Sequence, residues 1–376
     1  MKYKIAFILE QALGHITHSR NLQSNIPSSV DLTPIWLPVP YDVIGTTAKI
    51  PGFNSNWTIR SGIRARKLLK DNLINGPYDG LFFHTQVPAV LCADWVRSYP
   101  TIISLDATPI QFDQLGDFYH HKPGPGWLEN IKNNLNKSAL NSAQCLVAWT
   151  EWTKMSLIRD YGVAEEKIAV IPPGVNPELW KKPIGFQKVN DHKVRILFVG
   201  GDLQRKGGDL LINAFRKLAA SHKAERLELH LVTKTAVQEG DGIFVYSNFG
   251  SNDPRLIDLY HQCDIFALPT SGDCLPMVLS EAGAAGLPCI STTVAAIPEV
   301  IPDGKSGLLI PPGDEKALYQ ALETLVNDEN LRIRMGNEAV EIISNQFDAV
   351  KNTSRLLSLL SETIEISKQR KMRKEN

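Results

Sequence analysis

Residues 195–208 read RILFVGGDLQRKGG and residues 264–282 read DIFALPTSGDCLPMVLSEA, and these two stretches decide the fold class. Each contains a run of aliphatic residues without polar alternation, which is typical of a strand buried on both faces of a sheet. Each run is followed by a loop and then by apolar residues at helical spacing, such as Leu211, Phe215 and Leu218 after the first loop. The order of strand, loop and helix indicates a parallel α/β sheet.

Similar apolar runs recur along the whole chain, at residues 4–9, 80–84, 101–105, 145–149, 167–171, 195–199, 227–232, 243–246, 264–268 and 288–291. The length of 376 residues, at about 150 residues per domain, suggests two domains. The sequence therefore predicts an α/β fold with two doubly wound domains. The predicted boundaries are an N-terminal domain over 1–175, a linker over 176–194, a C-terminal domain over 195–347, an amphipathic helix over 348–366 and a basic tail over 367–376.

Composition excludes several classes of protein. Hydrophobic residues make up 43% of the chain, and 40 basic residues balance 40 acidic ones, so neither disorder nor electrostatic binding to nucleic acid is expected. The five cysteines form no CxxC pair, which favours a reducing compartment over disulfides or a zinc site. Only five apolar residues, 5–9, follow the charged start, too few for a signal peptide, so a cytoplasmic location is predicted.

The glycine-rich loop of residues 200–208 is a candidate phosphate site. Free amide groups and the positive end of a helix dipole attract anions, and Arg205 and Lys206 add positive charge beside them. The loop matches neither the GxGxxG nor the GxxxxGK pattern. Taken alone, it is equally consistent with a solvated turn in which glycine only lets the chain leave the strand.

A second candidate site lies in a short helix that Pro276 would begin and Gly286 would end. Glu281 then lies in the second turn. Helical side chains lean toward the N-terminus, so Glu281 can reach the loop in front of the helix, which contains Asp273. A carboxylate there can accept both hydroxyls of a ribose. Phosphate and ribose together indicate a nucleotide sugar, whereas the alternative is that Glu281 is an ordinary surface residue.

Four stretches together resemble the GT-B glycosyltransferases of family 4. They are the loop around Lys206, the pair Asp273 and Glu281 with seven residues between them, residues 297–309 (IPEVIPDGKSGLL) and residues 165–176 (EEKIAVIPPGVN). The resemblance implies a GT-B fold, in which two Rossmann-like domains face a central cleft. It also implies that the C-terminal domain binds the donor, that the N-terminal domain binds the acceptor, and that the last helix packs back on the first domain.

The resemblance implies roles for three residues of the donor half. Lys206 would bind the donor diphosphate, and Glu281 would bind the donor ribose. Asp273 stands where the family usually has a glutamate, and it would hold hydroxyls of the donor sugar next to the reacting carbon. This position therefore keeps the acid but shortens its side chain.

Further donor contacts follow from the same resemblance. The backbone amides around Cys274 and Leu275 would approach the sugar or the phosphate. The family's second diphosphate ligand, an arginine, falls at Gly201 or Gly200 in this chain. Arg205 is the candidate replacement for that arginine.

The N-terminal half resembles the family less. Residues 10–19 (EQALGHITHS) stand in place of the family's glycine-containing loop, so Gly14, His15 and Thr17 are candidates for contact with the acceptor or a phosphate. The alternative for His15 is a surface or capping role.

Asp106 follows the strand predicted at 101–105, where family members commonly have a histidine that lines the cleft. A carboxylate there can accept a sugar hydroxyl or stabilise positive charge on the anomeric carbon, so Asp106 joins Asp273 as a predicted catalytic residue. The alternative is a strand-end acid that caps the next turn. His84, His120 and His121 are further polar candidates in cleft-facing loops.

A basic amphipathic helix is predicted over residues 57–70, which contain Arg60, Arg64, Arg66, Lys67 and Lys70. Such a helix can lie on anionic lipid, which would make the protein peripheral on the inner membrane face and suit a lipid-linked acceptor. The alternative is a solvated helix face.

The resemblance implies a retaining hexosyltransferase that uses a nucleoside diphosphate sugar, UDP- or GDP-linked, as co-substrate. The acceptor would be a hydroxyl of a sugar, a lipid-linked molecule or a small molecule. No DxD acid pair follows a strand, so neither a metal nor a bound cofactor is expected. Two alternatives stay open, namely a nucleotide-sugar 2-epimerase of the same fold and a catalytically silent sugar-nucleotide-binding subunit.

Overall fold

The protein forms two compact units, each built on a six-stranded parallel sheet. The computed structural model describes residues 3–12, 14–26, 31–42, 56–115, 125–188, 192–221 and 226–375. The first unit contains the described residues up to Gln114, those from 125 to Pro173 and those from Ala349 onward, and the second contains those from Gly174 to Asp348. This architecture confirms the predicted α/β class with two doubly wound, Rossmann-like domains.

The first unit has strands β1 (Tyr3–Gln11), β2 (Leu32–Pro40), β3 (Gly80–Phe83), β4 (Thr101–Leu105), β5 (Cys145–Ala148) and β6 (Ile168–Val170). Their order in the sheet is β2-β1-β3-β4-β5-β6. The helices along this part of the chain are α1 (His15–Asn25), α2 (Trp57–Asn72), α3 (Gln86–Ala89), α4 (Ala93–Ser98), α5 (Pro109–Gln114), α6 (Gly126–Ser142) and α7 (Glu151–Arg159).

The second unit begins with helix α8 (Pro177–Trp180) and has strands β7 (Val194–Val199), β8 (Leu227–Val232), β9 (Ile243–Tyr246), β10 (Ile265–Leu268), β11 (Cys289–Thr292) and β12 (Gly307–Ile310). Their order is β12-β11-β10-β7-β8-β9. The other helices are α9 (Gly208–Ser221), α10 (Pro254–Gln262), α11 (Met277–Ala284), α12 (Ile297–Val300), α13 (Glu315–Asn327) and α14 (Glu329–Gln346). Helix α15 (Ala349–Glu375) returns to the first unit.

Strand β1 shows why an apolar run without alternation predicts a doubly wound sheet. Ile5 and Phe7 pack in one buried cluster with residues of α15, whereas Ala6 and Ile8 pack in a second cluster on the other face. Successive side chains of a strand point to opposite faces, so both faces must be apolar when both are covered.

The edge strand β2 was not predicted, because its sequence LTPIWLPVP contains Pro34, Pro38 and Pro40. These prolines occupy alternate positions of the strand and therefore lack N–H groups on one side only. Strand β2 pairs only with β1 in the sheet, so the side without donors can face the open edge. The prolines also protect that edge from pairing with another chain.

The region predicted as a linker, 176–194, contains packed structure within its described residues. Trp180 of α8 is buried, and its carbonyl oxygen lies 2.8 Å from Nε2 of His261. Lys188 forms an ion pair with Asp264 at the start of β10. The residues that pack in this segment are isolated positions and do not repeat at helical spacing, so the sequence shows no apolar period.

Helix α15 corrects the predicted end of the chain. It continues to Glu375, so most of the predicted basic tail, 367–376, belongs to this helix. Lys368 of this segment lies over the ring of Tyr3 and 3.7 Å from Oδ1 of Asp79. Among the described residues, no helix has the length and apolar character needed to span a membrane.

We expect Leu360→Ala to lower the free energy of unfolding by about 2–5 kcal/mol, because Leu360 of α15 packs with Ile5 and Phe7 and its truncation leaves a cavity. Ile366→Ala is the matched control, since Ile366 lies on the same helix and is exposed. Denaturant unfolding measures both changes. Equal effects of the two substitutions would contradict the role of α15 in the first core.

Candidate functional site

Two loops meet at the carboxyl edge of the second sheet. Strands β7 and β10 are adjacent and parallel, with Ile196 opposite Ile265, so the loops that follow them leave the sheet side by side. The first loop carries Arg205 and Lys206, and the second carries Asp273. Ligands of open α/β sheets bind outside the carboxyl ends of the strands, which makes this edge the candidate donor site.

The carboxylate of Asp273 joins the two loops. Its Oδ1 accepts hydrogen bonds from Nζ of Lys206 at 2.8 Å and from Nη1 of Arg205 at 3.1 Å. Its Oδ2 accepts a hydrogen bond from the hydroxyl of Thr270 at 2.8 Å. The structure therefore brings three predicted site residues into one cluster, and it adds Thr270, which no sequence motif singled out.

Gly207 allows the two loops to approach each other. Its φ is +75°, and a Cβ at this position would lie 2.1 Å from the carbonyl oxygen of Pro269. Only glycine fits such a contact in that conformation. At Gly201, by contrast, no atom of the described residues would lie within 4 Å of a Cβ, so these residues do not require glycine there.

The pKa of Asp273 is lowered by its partners. Burial of the carboxyl opposes ionisation, but the charges of Lys206 and Arg205 and their hydrogen bonds outweigh it. Asp273 is therefore an anion at neutral pH. Cys274 and Leu275, which follow it, are also buried.

Glu281 is buried on α11, so the alternative that it is a surface residue is wrong. Its Oε2 accepts a hydrogen bond from the hydroxyl of Tyr260 at 3.0 Å. Burial raises the pKa of Glu281 to about 7, although Tyr260 and the nearby charge of Lys206 oppose the rise. Tyr260 lies on α10, and no sequence motif links it to Glu281.

The first unit brings together three other predicted residues. Nε2 of His15 lies 3.9 Å from Oδ2 of Asp106, and the rings of His15 and His84 are 5.2 Å apart, edge to face. Asp106 also accepts a hydrogen bond at Oδ1 from the N–H of Ala107 at 2.9 Å. The hydroxyl of Thr108, and not Asp106, accepts from the N–H of Gln111 in the first turn of α5, so both the catalytic role of Asp106 and its capping alternative stay predictions.

A cluster of rings that sequence reasoning missed surrounds His84. His18 lies 4.7 Å from His84 and 4.9 Å from Trp149, measured between ring centroids, and Trp149 stacks on His84. Burial, and then the neighbouring imidazoles, lower the pKa of His84 well below its usual value, and burial and His15 lower the pKa of His18 to about 3. These two imidazoles are therefore neutral at physiological pH.

The start of α1 carries the remaining candidates of the first unit. Gly14 is exposed at the N-cap, His15 is the first helical residue, and Thr17 lies in the first turn. No side chain caps this helix end, and its first turn contains no acid. His120 and His121 lie outside the described residues.

The basic residues of α2 are largely engaged within the protein. Arg60 is buried and lies over the rings of Tyr41 and Trp57. Arg64 donates to the carbonyl oxygens of Pro40 and Asp42, and Arg66 forms an ion pair with Asp94. Lys67 and Lys70 are exposed.

Two family models match the chain in succession. The model described as "Glycosyltransferase Family 4" matches residues 32–179, and the model described as "Glycosyl transferases group 1" matches residues 193–328. The chain is also 27% identical over 248 residues to D-inositol 3-phosphate glycosyltransferase from Corynebacterium glutamicum. That match covers 60% of this chain and 59% of the relative's length.

Solved structures share the fold over almost the whole chain. Sucrose-phosphate synthase from Thermosynechococcus elongatus superposes with a TM-score of 0.75 and 16% identity over 97% of this chain and 100% of that chain. Anabaena HepE in complex with UDP and glucose gives a TM-score of 0.68 and 16% identity, and the match covers 96% of this chain and 100% of that chain. At these identities the similarity concerns the fold.

The neutral histidines make the stability of the first unit sensitive to acid. Because the pKa of His84 is lowered on folding, the unfolded chain binds more protons below about pH 6.5, and stability falls as the pH drops from that value. We therefore expect the stability of His84→Gln to fall less steeply between pH 6.5 and pH 5 than that of the wild type.

Denaturant unfolding at several pH values measures this change. His192→Gln, at an exposed histidine of the second unit, is the matched control for the loss of one imidazole from the chain. A slope that is the same in the wild type and in His84→Gln would show that His84 is not neutral in the folded protein.

Proposed function

Because the chain belongs to the GT-B glycosyltransferases of the family 4 type, we propose that it transfers a hexose from a nucleoside diphosphate sugar to an acceptor hydroxyl. The observation that carries this proposal is the cluster at the carboxyl edge of the second sheet, where Lys206 and Arg205 share the Asp273 carboxylate. Cations for a diphosphate and buried acids for hydroxyls meet the chemical needs of one ligand, a nucleotide sugar.

The donor contacts are assigned by charge and by the family resemblance. Lys206 and Arg205 bind the diphosphate, Glu281 binds the ribose, and Asp273 binds hydroxyls of the sugar. Gly201, Cys274 and Leu275 offer backbone amides to the phosphates or the sugar. The UDP complex of the similar Anabaena protein supports a uridine nucleotide, with a guanosine nucleotide as the other candidate.

The leaving group needs no metal in this mechanism. As the bond between the anomeric carbon and the diphosphate breaks, negative charge grows on the phosphate oxygens. Lys206 and Arg205 stabilise that charge by hydrogen bonds that strengthen in the transition state.

The transfer proceeds with retention in this proposal. No side chain is assigned as a nucleophile, so the acceptor oxygen forms its bond to the anomeric carbon on the face that the diphosphate leaves. The acceptor proton passes to an oxygen of the departing phosphate. Asp106 stabilises the positive charge that develops on the anomeric carbon, and Gly14, His15, Thr17 and His84 contact the acceptor or a phosphate.

The acceptor is a hydroxyl compound, and the relative named D-inositol 3-phosphate glycosyltransferase supports a polyol or sugar hydroxyl. A lipid-linked acceptor would bring the protein to the inner face of a membrane through α2. Lys67, Lys70 and the exposed Ile59 and Ile63 support that contact. At about 1 kcal/mol per lysine near an anionic surface, two lysines give only weak and reversible binding.

Lys206→Ala and Glu281→Ala should each weaken donor binding at least tenfold, because a charge-assisted hydrogen bond contributes about 1.5–3 kcal/mol. The donor is first identified by thermal stabilisation with UDP- and GDP-sugars, since a ligand at about 100 times its Kd adds about 2.7 kcal/mol of stability. Calorimetric titration then compares the variants with exposed controls, Lys217→Ala and Glu341→Ala. Donor affinities equal to the controls in both folded variants would reject this site.

Activity should survive chelation, and the first-formed product should keep the anomeric configuration of the donor sugar. The first result follows from charge neutralisation by Lys206 and Arg205, and the second from attack on the leaving-group face. Assays with and without EDTA test the metal requirement, and proton NMR of the early product tests the configuration. The mechanism would be overturned if EDTA abolished activity and added Mn²⁺ restored it, or if the product had an inverted linkage. Turnover of the donor without an acceptor would favour the 2-epimerase.

A further inference from the structure

Tyr260 is buried within the second unit, and its hydroxyl donates to a group of the proposed donor site. The hydroxyl lies 3.0 Å from Oε2 of Glu281. The Tyr260 ring stacks on Phe266 of β10 with centroids 5.6 Å apart, and the edge of Trp180 from α8 lies 5.1 Å away at an angle of 82°. Three elements of the second unit therefore fix the position of this one hydroxyl.

We propose that Tyr260 is a positioning residue for the donor ribose, because its hydroxyl holds Oε2 of Glu281 so that Oε1 is presented to the ribose hydroxyls. This inference rests on the proposed function, in which Glu281 binds the ribose. Glu281 accepts no second side-chain hydrogen bond from the residues that the structure describes. The remaining capacity of its carboxylate is therefore available to a ligand.

The position of Glu281 on its helix explains why it needs a fixed partner. Leu279, Ser280, Ala282 and Gly283 around it are buried, so α11 is packed on all sides over this stretch. A buried carboxylate that lacks a donor is strongly destabilised, and a hydroxyl that donates to it favours its ionised form. Tyr260 thus acts both on the orientation of the carboxylate and on its charge.

The charged and titratable groups around this pair define the expected pH dependence. Lys206, from the loop after β7, and the Tyr260 hydroxyl favour the ionised form of Glu281, whereas burial opposes it and sets its pKa at about 7. Burial, and then the charge of Glu281 and its hydrogen bond, keep the pKa of Tyr260 well above its usual value, and the thiols of Cys289 and Cys263 lie nearby. Helix α14 meets α11 through Ile343 against Gly283, which adds no charge.

The sign of the effect follows from these contacts. Donor binding that uses ionised Glu281 weakens by up to tenfold for each pH unit below the pKa of this carboxyl. Removal of the Tyr260 hydroxyl takes away a contribution that lowers the pKa of Glu281, so this pKa rises. The midpoint of donor affinity against pH must then move to higher pH in Tyr260→Phe, and the ratio of the wild-type to the variant affinity must grow as the pH falls from alkaline values and level off below the wild-type pKa of Glu281.

The experiment measures the affinity for UDP-glucose, with GDP-mannose as the second probe, by calorimetry from about pH 5.5 to about pH 9. We expect Tyr260→Phe to show a midpoint about one pH unit higher, which corresponds to about 1.4 kcal/mol. The variant should then bind the accepted probe about fivefold more weakly at pH 7 and about tenfold more weakly at pH 5.5. Tyr319→Phe is the matched control, since the Tyr319 hydroxyl contacts Glu323 and Ser221 on the outer helices. It should behave as wild type.

A second variant separates positioning from simple loss of packing. Glu281→Gln cannot titrate, so its affinity should be independent of pH across this range, and Tyr260→Phe added to it should change the affinity less than threefold. If Tyr260→Phe fails to fold, the inference is tested by the donor affinity of Glu281→Gln as a function of pH. If that affinity still changes near pH 7, the inference is overturned. An unshifted midpoint in folded Tyr260→Phe also overturns it, whereas binding of neither probe by wild type rejects the proposed donor site itself.

Discussion

The carboxylate of Asp273 is the interaction on which the candidate donor site depends. It is shared by Lys206 and Arg205 from one loop and by Thr270 from its own loop, so it fixes the distance between the ends of β7 and β10. The contact needs Gly207, where a side chain would collide with the backbone of the second loop. Asp273 has a shorter side chain than the glutamate usual in the family, and Lys206 and Arg205 both lie within hydrogen-bond distance of it.

The pKa values of two buried acids on this edge of the sheet are shifted in opposite directions. Asp273 has two cationic partners, and their charge lowers its pKa despite burial. Glu281 has a neutral hydroxyl as its partner, and burial raises its pKa to about 7. One carboxylate is therefore a permanent anion, while the other changes its charge near physiological pH. In the proposed reaction the first suits the sugar hydroxyls and the second makes ribose binding sensitive to pH.

The candidate residues of the first unit have a different physical character. His84 and His18 pack against Trp149 and stay neutral, so this buried cluster consists of rings and uncharged nitrogens, and Asp106 pairs with His15 at its side. Neutral imidazoles can donate or accept hydrogen bonds according to their tautomer, which suits a polyhydroxylated acceptor. In the proposed reaction, charge for the leaving group and neutral polarity for the acceptor would come from different halves of the chain.

The sequence by itself determined the fold class, most strands and the loops that carry Lys206 and Asp273, because apolar runs and glycine-rich turns are local properties of the chain. It did not reveal β2, whose prolines are tolerated only because the sheet leaves that strand at an edge. Only the tertiary structure paired Tyr260 with Glu281 and gathered the histidines around Trp149. These contacts join residues far apart in sequence, and no local pattern encodes which distant side chains meet when a sheet and its helices pack.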